Sequence, residues 1–268
     1  MKKDISKDYK KYLRKKTANK VIVVSMQLGI LLLFLALWEI LARRGIIDTF
    51  IFSCPSRILK TIGDLYISGS LFHHISTTLS EALIGFLIAT LGGYLIAIIL
   101  WWNEFIRKIL DPYIVVLNSL PKIALGPIII IWVGVGTSAI ITMDILIMIV
   151  ISIITMLNAF RQTDESKIML LRSMGANKFQ ILFKLIIPHA LPEFISLLKI
   201  NVGLTWVGTI MGEYLVSRAG LGYLIIYGSQ IFNLDLVMTG TILLCVLATL
   251  MYFVVGFVEK IVNQRHNK

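Results

Sequence analysis

Six apolar blocks, each long enough to cross a lipid bilayer as a helix, set the limits on what this chain can fold into. They run over Val21–Ala42, Thr77–Trp102, Pro112–Val133, Ser138–Phe160, Phe194–Leu215 and Leu236–Glu259. About 20 consecutive apolar residues span the hydrocarbon core, and a helix satisfies its own backbone hydrogen bonds there. Across all 268 residues, 57% are hydrophobic and 15% are charged, with a mean hydropathy of +0.85. Soluble domains are far less apolar and more charged. The expectation is an all-α, polytopic transmembrane bundle of about six spans.

The formal net charge is +11, and its distribution says where it acts. Lys2, Lys3, Lys7, Lys10, Lys11, Arg14, Lys15, Lys16 and Lys20 crowd residues 1–20, and the positive-inside rule places that segment in the cytoplasm. Counting spans across the transmembrane domain, residues 21–260, puts Arg107–Lys108, the loop Arg161–Lys184 and the tail 261–268 on the same side. The opposite loops carry only Arg43, Arg44, Arg57, Lys60 and Arg218. Both termini are therefore expected inside a bacterial cell membrane. No soluble domain offers a basic face with stacking aromatics, so nucleic acid is excluded as a partner. The first apolar run continues to Trp38 without an A-x-A cleavage pattern and reads as a retained span. Cys54 and Cys245 lack a C-x-x-C partner, and their spacing supports no disulfide or metal framework.

Several spans carry further pattern. Gly85, Ala89 and Gly93 form a small-residue stripe in the second span, and Gly208 and Gly212, with Gly203 near them, repeat it in the fifth. Such stripes let helices approach closely, within one subunit or between two. Between the first and second spans, Ser53, Pro55 and Ser56 open an amphipathic helix with Ile58, Leu59, Ile62, Leu65 and Tyr66 on its apolar face, expected at the outer interface. His73 and His74 follow it without the context of a metal motif and read as exposed loop residues. In the third span, Asn118 through Pro127 contains two prolines and a glycine, which predicts a kinked or unwound helix. Lys122 in that break either snorkels to the cytoplasmic boundary or serves the translocation route. Asn118, Lys122, Asp144 and Glu213 are the candidates for that route, because polar groups at membrane depth are costly and functional by default.

The charged interruption 161–192 is patterned as a helix, a glycine turn and a second helix. Ile168, Leu171 and Met174 recur about every three residues before Gly175, a residue suited to a left-handed C′ position. Asn177 and Gln180 make a capping pair for the second helix, which is expected to stop near Pro188 and Pro192. Two readings stand at this point: an amphipathic hairpin resting on the membrane, or an element inserting into the groove of a cytosolic partner. The chain has no G-x-x-x-x-G-K-[ST] phosphate loop, so uphill transport would need work from another subunit or an ion gradient.

This loop resembles the coupling motif of ABC importer permeases, usually E-A-A, then a glycine, then I-x-L-P. Gly175 stands at the glycine, and Leu185-Ile186-Ile187-Pro188 stands at I-x-L-P. Met169, Leu170 and Leu171 replace E-A-A, and Asp164, just upstream, is the nearest acid that matches the family pattern. The wider chain is similar to the nitrate/sulfonate/taurine-type branch. The resemblance rests on Trp38-Glu39, Cys54-Pro55-Ser56, the string Leu120 to Pro127 with Gly134-Val135-Gly136, and Glu213 with Gly220-Leu221-Gly222-Tyr223. Glu81 departs from the Arg common in that branch.

The resemblance implies a type I ABC importer permease fold and a homodimer or pair of permeases in the membrane lipid. It also implies two cytosolic ABC ATPase subunits and an external solute-binding protein. The chain itself would hold no cofactor, no metal and no catalytic residue. Asp164, Met169, Leu170, Leu171, Arg172, Gly175, Ala176 and Pro188 would form the ATPase-coupling loop. The solute would be small and anionic, of sulfonate, nitrate or taurine type. The alternative is a thiamine-pyrimidine or riboflavin precursor, and behind it stands an ion-coupled carrier working alone.

Overall fold

The computed structural model describes residues 7–266; Lys2, Lys3 and Lys268, part of the basic ends, lie outside the described residues. The long helices follow from the apolar blocks: α1 (Lys7–Arg43), α4 (Ser70–Trp102), α7 (Thr137–Arg161), α10 (Ile187–Val216) and α12 (Leu234–His266). Shorter helices connect them: α2 (Thr49–Phe52), α3 (Pro55–Ile67), α5 (Glu104–Ser119), α6 (Gly126–Val133), α8 (Glu165–Ser173), α9 (Lys178–Ile181) and α11 (Leu221–Gln230). Five helical segments are apolar and long enough to cross a membrane alone, and α5 with α6 supplies a sixth as a broken pair.

The core is the set α4, α7 and α10: α4 and α7 run parallel, pairing Gly85 with Asp144 and Gly93 with Ser152, and α10 runs antiparallel to both. Along α4 the buried positions Glu81, Ala82, Gly85, Phe86, Ala89, Thr90, Gly93 and Ala97 keep to one stripe, the spacing that places residues on one helical face. Both glycine stripes press on α7. A side chain at Gly93 would run into Ser152 and the α7 backbone at 3.1 Å. One at Gly212 would meet Ile140 at 3.0 Å, and one at Gly208 would strike Asp144. The stripes therefore pack helices within one subunit. Gly203 takes no part, since nothing lies within 4 Å of it. Asn201 of α10 fastens the three helices by donating to Thr90 of α4 at 2.8 Å and Ser152 of α7 at 2.9 Å.

The third span is interrupted where its prolines and glycine predict, and two other elements differ from the sequence expectation. In the third span α5 ends at Ser119, a 3-10 turn covers Lys122–Leu125, and the segment Lys122–Val133 leaves at 86° to α5. Pro121 and Pro127 flank this turn, and each removes a backbone donor. The second coupling helix does not stop at Pro188 or Pro192 but runs through Leu182–Ile186 into α10. That stretch is a π-helix, whose wider turn admits an irregular hydrogen-bond ladder just ahead of Pro188. The helix α11 is additional, and it packs along α12.

At the end of the bundle away from the segment 161–192, α3 buries Ile58 and half-buries Ile62 and Leu65, while Leu59 and Tyr66 of the same expected stripe stay exposed. The turn before it is locked to α12. Ser53 donates to Asp235 at 2.6 Å, and Arg57 grips the other oxygen of the same carboxylate at 2.6 and 2.9 Å.

Gly93→Leu should overpack the α4–α7 contact and destabilise the fold by about 1–3 kcal/mol. Gly29→Leu, with nothing within 4 Å of the added carbon, should be neutral. Melting temperatures in detergent check this; equal melting of the two variants would contradict the packing account.

Candidate coupling and translocation site

The segment 161–192 folds as a hairpin held by its own caps. Asp164 opens α8, accepting from the Ser166 amide at 2.9 Å and its hydroxyl at 2.6 Å. These bonds hold its carboxyl below the usual carboxylate range, so the cap is intact at neutral pH and is lost only as pH falls through that lowered value. At the other end, Gly175 donates to the Arg172 carbonyl and Ala176 to the Leu171 carbonyl, both at 2.9 Å. This is the Schellman pattern, and Gly175 sits at φ +81° as the pattern requires. Asn177 and Gln180 then exchange hydrogen bonds at 2.8 and 2.9 Å, a complete capping box for α9.

The hairpin faces two ways. Ile168, Leu171 and Ala176 pack on the lower core around Phe160 and Ile181. Lys178 donates to the Trp102 carbonyl and lies 5.1 Å above that indole ring, which ties α9 to the end of α4. Met169, Leu170 and Met174 point away, at 70%, 60% and 75% exposure. Met174 thus belongs to the outward face and not to the stripe of Ile168 and Leu171. Arg172 is exposed in the last turn of α8, and Pro188 lies half-buried in the first turn of α10.

The four translocation candidates fall into two places. Asn118 and Lys122 meet at the break of the third span, where the Lys122 ammonium donates to the Asn118 carbonyl at 3.2 Å. Helix α5 buries none of its residues in this chain. Asp144 and Glu213 are instead fully buried in the core. Asp144 accepts from Thr209 at 2.8 Å between Gly85 and Gly208.

Glu213 anchors the start of α11. It accepts from the amides of Gly222 and Tyr223 and from the Thr78 hydroxyl at 2.6 Å. Thr78 in turn accepts from the Leu221 amide at 2.7 Å, and His74 Nδ1 accepts from the Gly220 amide at 3.0 Å. Residues of α4 and α10 therefore satisfy the free amides that any helix start presents. Glycines at 220 and 222 make room, because a side chain at either would collide with the Glu213 carboxylate. His74, Thr78 and Glu81 were missed as site residues by sequence reasoning. His74 is half-buried against Tyr223, not an exposed loop histidine. Glu81 is buried and accepts from Thr137 at 2.7 Å. Their spacing along one α4 face was the available signal.

Glu213→Leu keeps the bulk but strands these donors, at about 1–3 kcal/mol for each buried group left unpaired. A lower melting temperature and faster amide exchange across Leu221–Gln230 should follow; unchanged exchange there would contradict the anchoring role.

Comparison with known proteins agrees with this geometry. The family described as binding-protein-dependent transport system inner membrane component matches residues 89–268. The formylaminopyrimidine transport permease protein ThiX of Halalkalibacterium halodurans is 31% identical, over 72% of this chain and 76% of its own length. The putative aliphatic sulfonates transport permease protein SsuC of Bacillus subtilis is 27% identical, over 87% and 85% respectively. Among solved structures, a chain of a bacterial ABC transporter involved in the import of the acidic polysaccharide alginate shares the fold. It has a TM-score of 0.63 at 15% identity, covering 93% of this chain and 98% of that one. With a helical bundle built to cross the membrane and a capped hairpin between two spans, the chain belongs to the binding-protein-dependent transport system inner membrane component family, as the permease subunit of an ABC importer.

Proposed function

We propose that the hairpin α8–Gly175–α9 is the contact through which a separate cytosolic ATPase drives this permease. The observation that carries the reading is the outward set Met169, Leu170 and Met174, exposed on an element whose own caps and inward contacts are complete. Exposed apolar side chains on a rigid helix are what a groove on a partner takes up. ATP hydrolysis resides in that partner, and an external binding protein delivers the solute. Both termini and the hairpin face the cytoplasm, a placement supported by the basic residues of the loops on that side.

Two copies of the permease form the pathway. Non-helical backbone at membrane depth is tolerated only against protein or water, and the break at Leu120–Leu125 faces outward from a single copy. Tyr113, Val115, Val116 and Leu117 on α5 and Ile131 and Trp132 on α6 are exposed beside it. A second copy covers these faces, and Asn118 and Lys122 line the shared route. Lys122 suits a small anion, in keeping with the aliphatic sulfonate relative. The ThiX likeness supports a pyrimidine solute as the second reading.

Gly175→Val tests the coupling role. A β-branched residue in this left-handed position is strained by roughly 1–2 kcal/mol. The expected result is normal membrane insertion with weakened ATPase co-purification and reduced uptake. Normal co-purification together with normal uptake would overturn the reading.

A further inference from the structure

We propose that the cavity beneath the coupling hairpin is an anion site that takes a phosphate-class group. The cavity is about 440 Å³ and lies between the ends of α4 and α7 and the hairpin helices α8 and α9. That volume falls within the range of small-ligand pockets, about 300–1,000 Å³.

Its walls carry more cations than carboxylates, with Arg107, Arg161, Arg172 and Lys178 against Glu104 and Glu165. Arg161 ends α7, Arg172 lies in the last turn of α8, and Lys178 begins α9. Among the described residues no ion pair joins any of these three to a carboxylate. Arg107 also reaches the cavity, but Glu104 and Asp111 hold it at 3.3 Å, and Glu104 is shared with Lys108. Of the two acids in the wall, Glu104 is thus engaged by Arg107 and Lys108, which leaves Glu165 to face the three cations.

A second, independent feature points the same way. Thr163 lines the cavity at 3% exposure, and its hydroxyl has no hydrogen-bond partner among the described residues. Buried hydroxyls are ordinarily satisfied, so an acceptor bound beside Thr163 would supply the partner this one lacks. Two guanidinium forks, an ammonium and a hydroxyl donor match the acceptor oxygens of a phosphate. Trp101 and Phe160 complete the wall with apolar surface, and the cavity lies at the expected cytoplasmic boundary, where anionic headgroups meet basic pockets. The phosphate belongs either to an anionic phospholipid or to a free cytosolic anion. An occupant ties the hairpin to the ends of the spans, since both contribute walls.

Binding is read without nucleotide, so the outcome does not depend on the ATPase reading. The permease, purified with whatever subunits accompany it in neutral detergent and stripped of lipid, is titrated calorimetrically with dioctanoyl phosphatidylglycerol, inorganic phosphate and dioctanoyl phosphatidylcholine. Saturable binding of the first alone assigns a lipid headgroup, and binding of inorganic phosphate as well assigns a free anion; either supports the site. Arg161→Gln with Arg172→Gln should weaken that binding about tenfold or more, and Thr163→Val about threefold. Arg218→Gln on the opposite face should leave it unchanged. If the paired Gln variant melts early, Thr163→Val, which removes only a hydroxyl, decides. No saturable binding of either anion, equal binding of the phosphatidylcholine probe, or affinity unchanged in Thr163→Val would overturn the proposal.

Discussion

The close fit of α7 between two glycine-bearing helices is the contact on which the rest of the structure depends. Apolar side chains gain little by leaving lipid for a protein interior, so membrane helices associate through close packing and buried polar bonds. This chain uses both at one place. Gly85 and Gly93 bring α4 onto one side of α7, and Gly208 and Gly212 bring α10 onto the other. Inside that contact, Asn201 bonds to Thr90 and Ser152, and Thr209 bonds to Asp144. A side chain at any of these glycines would separate the helices and break the bonds between them.

The functional elements hang from this block at its two ends. At one end, Glu213, Thr78 and His74 fix the first amides of α11, and Arg57 and Ser53 fasten α3 to Asp235 of α12. At the other end, Ile168, Leu171 and Ala176 seat the hairpin on the same core, and Lys178 ties it to Trp102. A push on the exposed Met169 and Leu170 therefore reaches α7 and α10 through packed side chains, not through a loose loop. Because α9 runs unbroken into α10, displacement of the hairpin moves a span directly. Switching between access states needs such a stiff connection to a bistable bundle.

Reading the sequence alone recovered what depends on local pattern. The apolar blocks located the spans, Gly175 marked the left-handed turn, and Asn177 with Gln180 marked the cap, because each rests on residues close together in the chain. What it missed depends on long-range partners. The amides of Gly220, Leu221, Gly222 and Tyr223 are satisfied from α4 and α10, so nothing near α11 signals a capped helix. His74 looked like a loop residue because its partner, Gly220, is 146 positions away. The prolines at 188 and 192 read as stops, yet a π-helical turn before them carries the helix through. Glu213 stood out as a polar group at membrane depth, but sequence could not show that one of its oxygens is already engaged by Thr78 of α4 and the other by α11.

The proposed seat of the ATPase is the outward face of the hairpin. Photo-crosslinking from a reactive side chain placed at the Leu170 position, in cells expressing the whole transporter, probes that contact. A crosslink to the cytosolic ATPase subunit is expected from Leu170 and none from Leu59, which is exposed on α3 at the other end of the bundle. Crosslinking of Leu170 to lipid alone, with no ATPase adduct, would contradict that contact and leave the hairpin as a membrane-resting element.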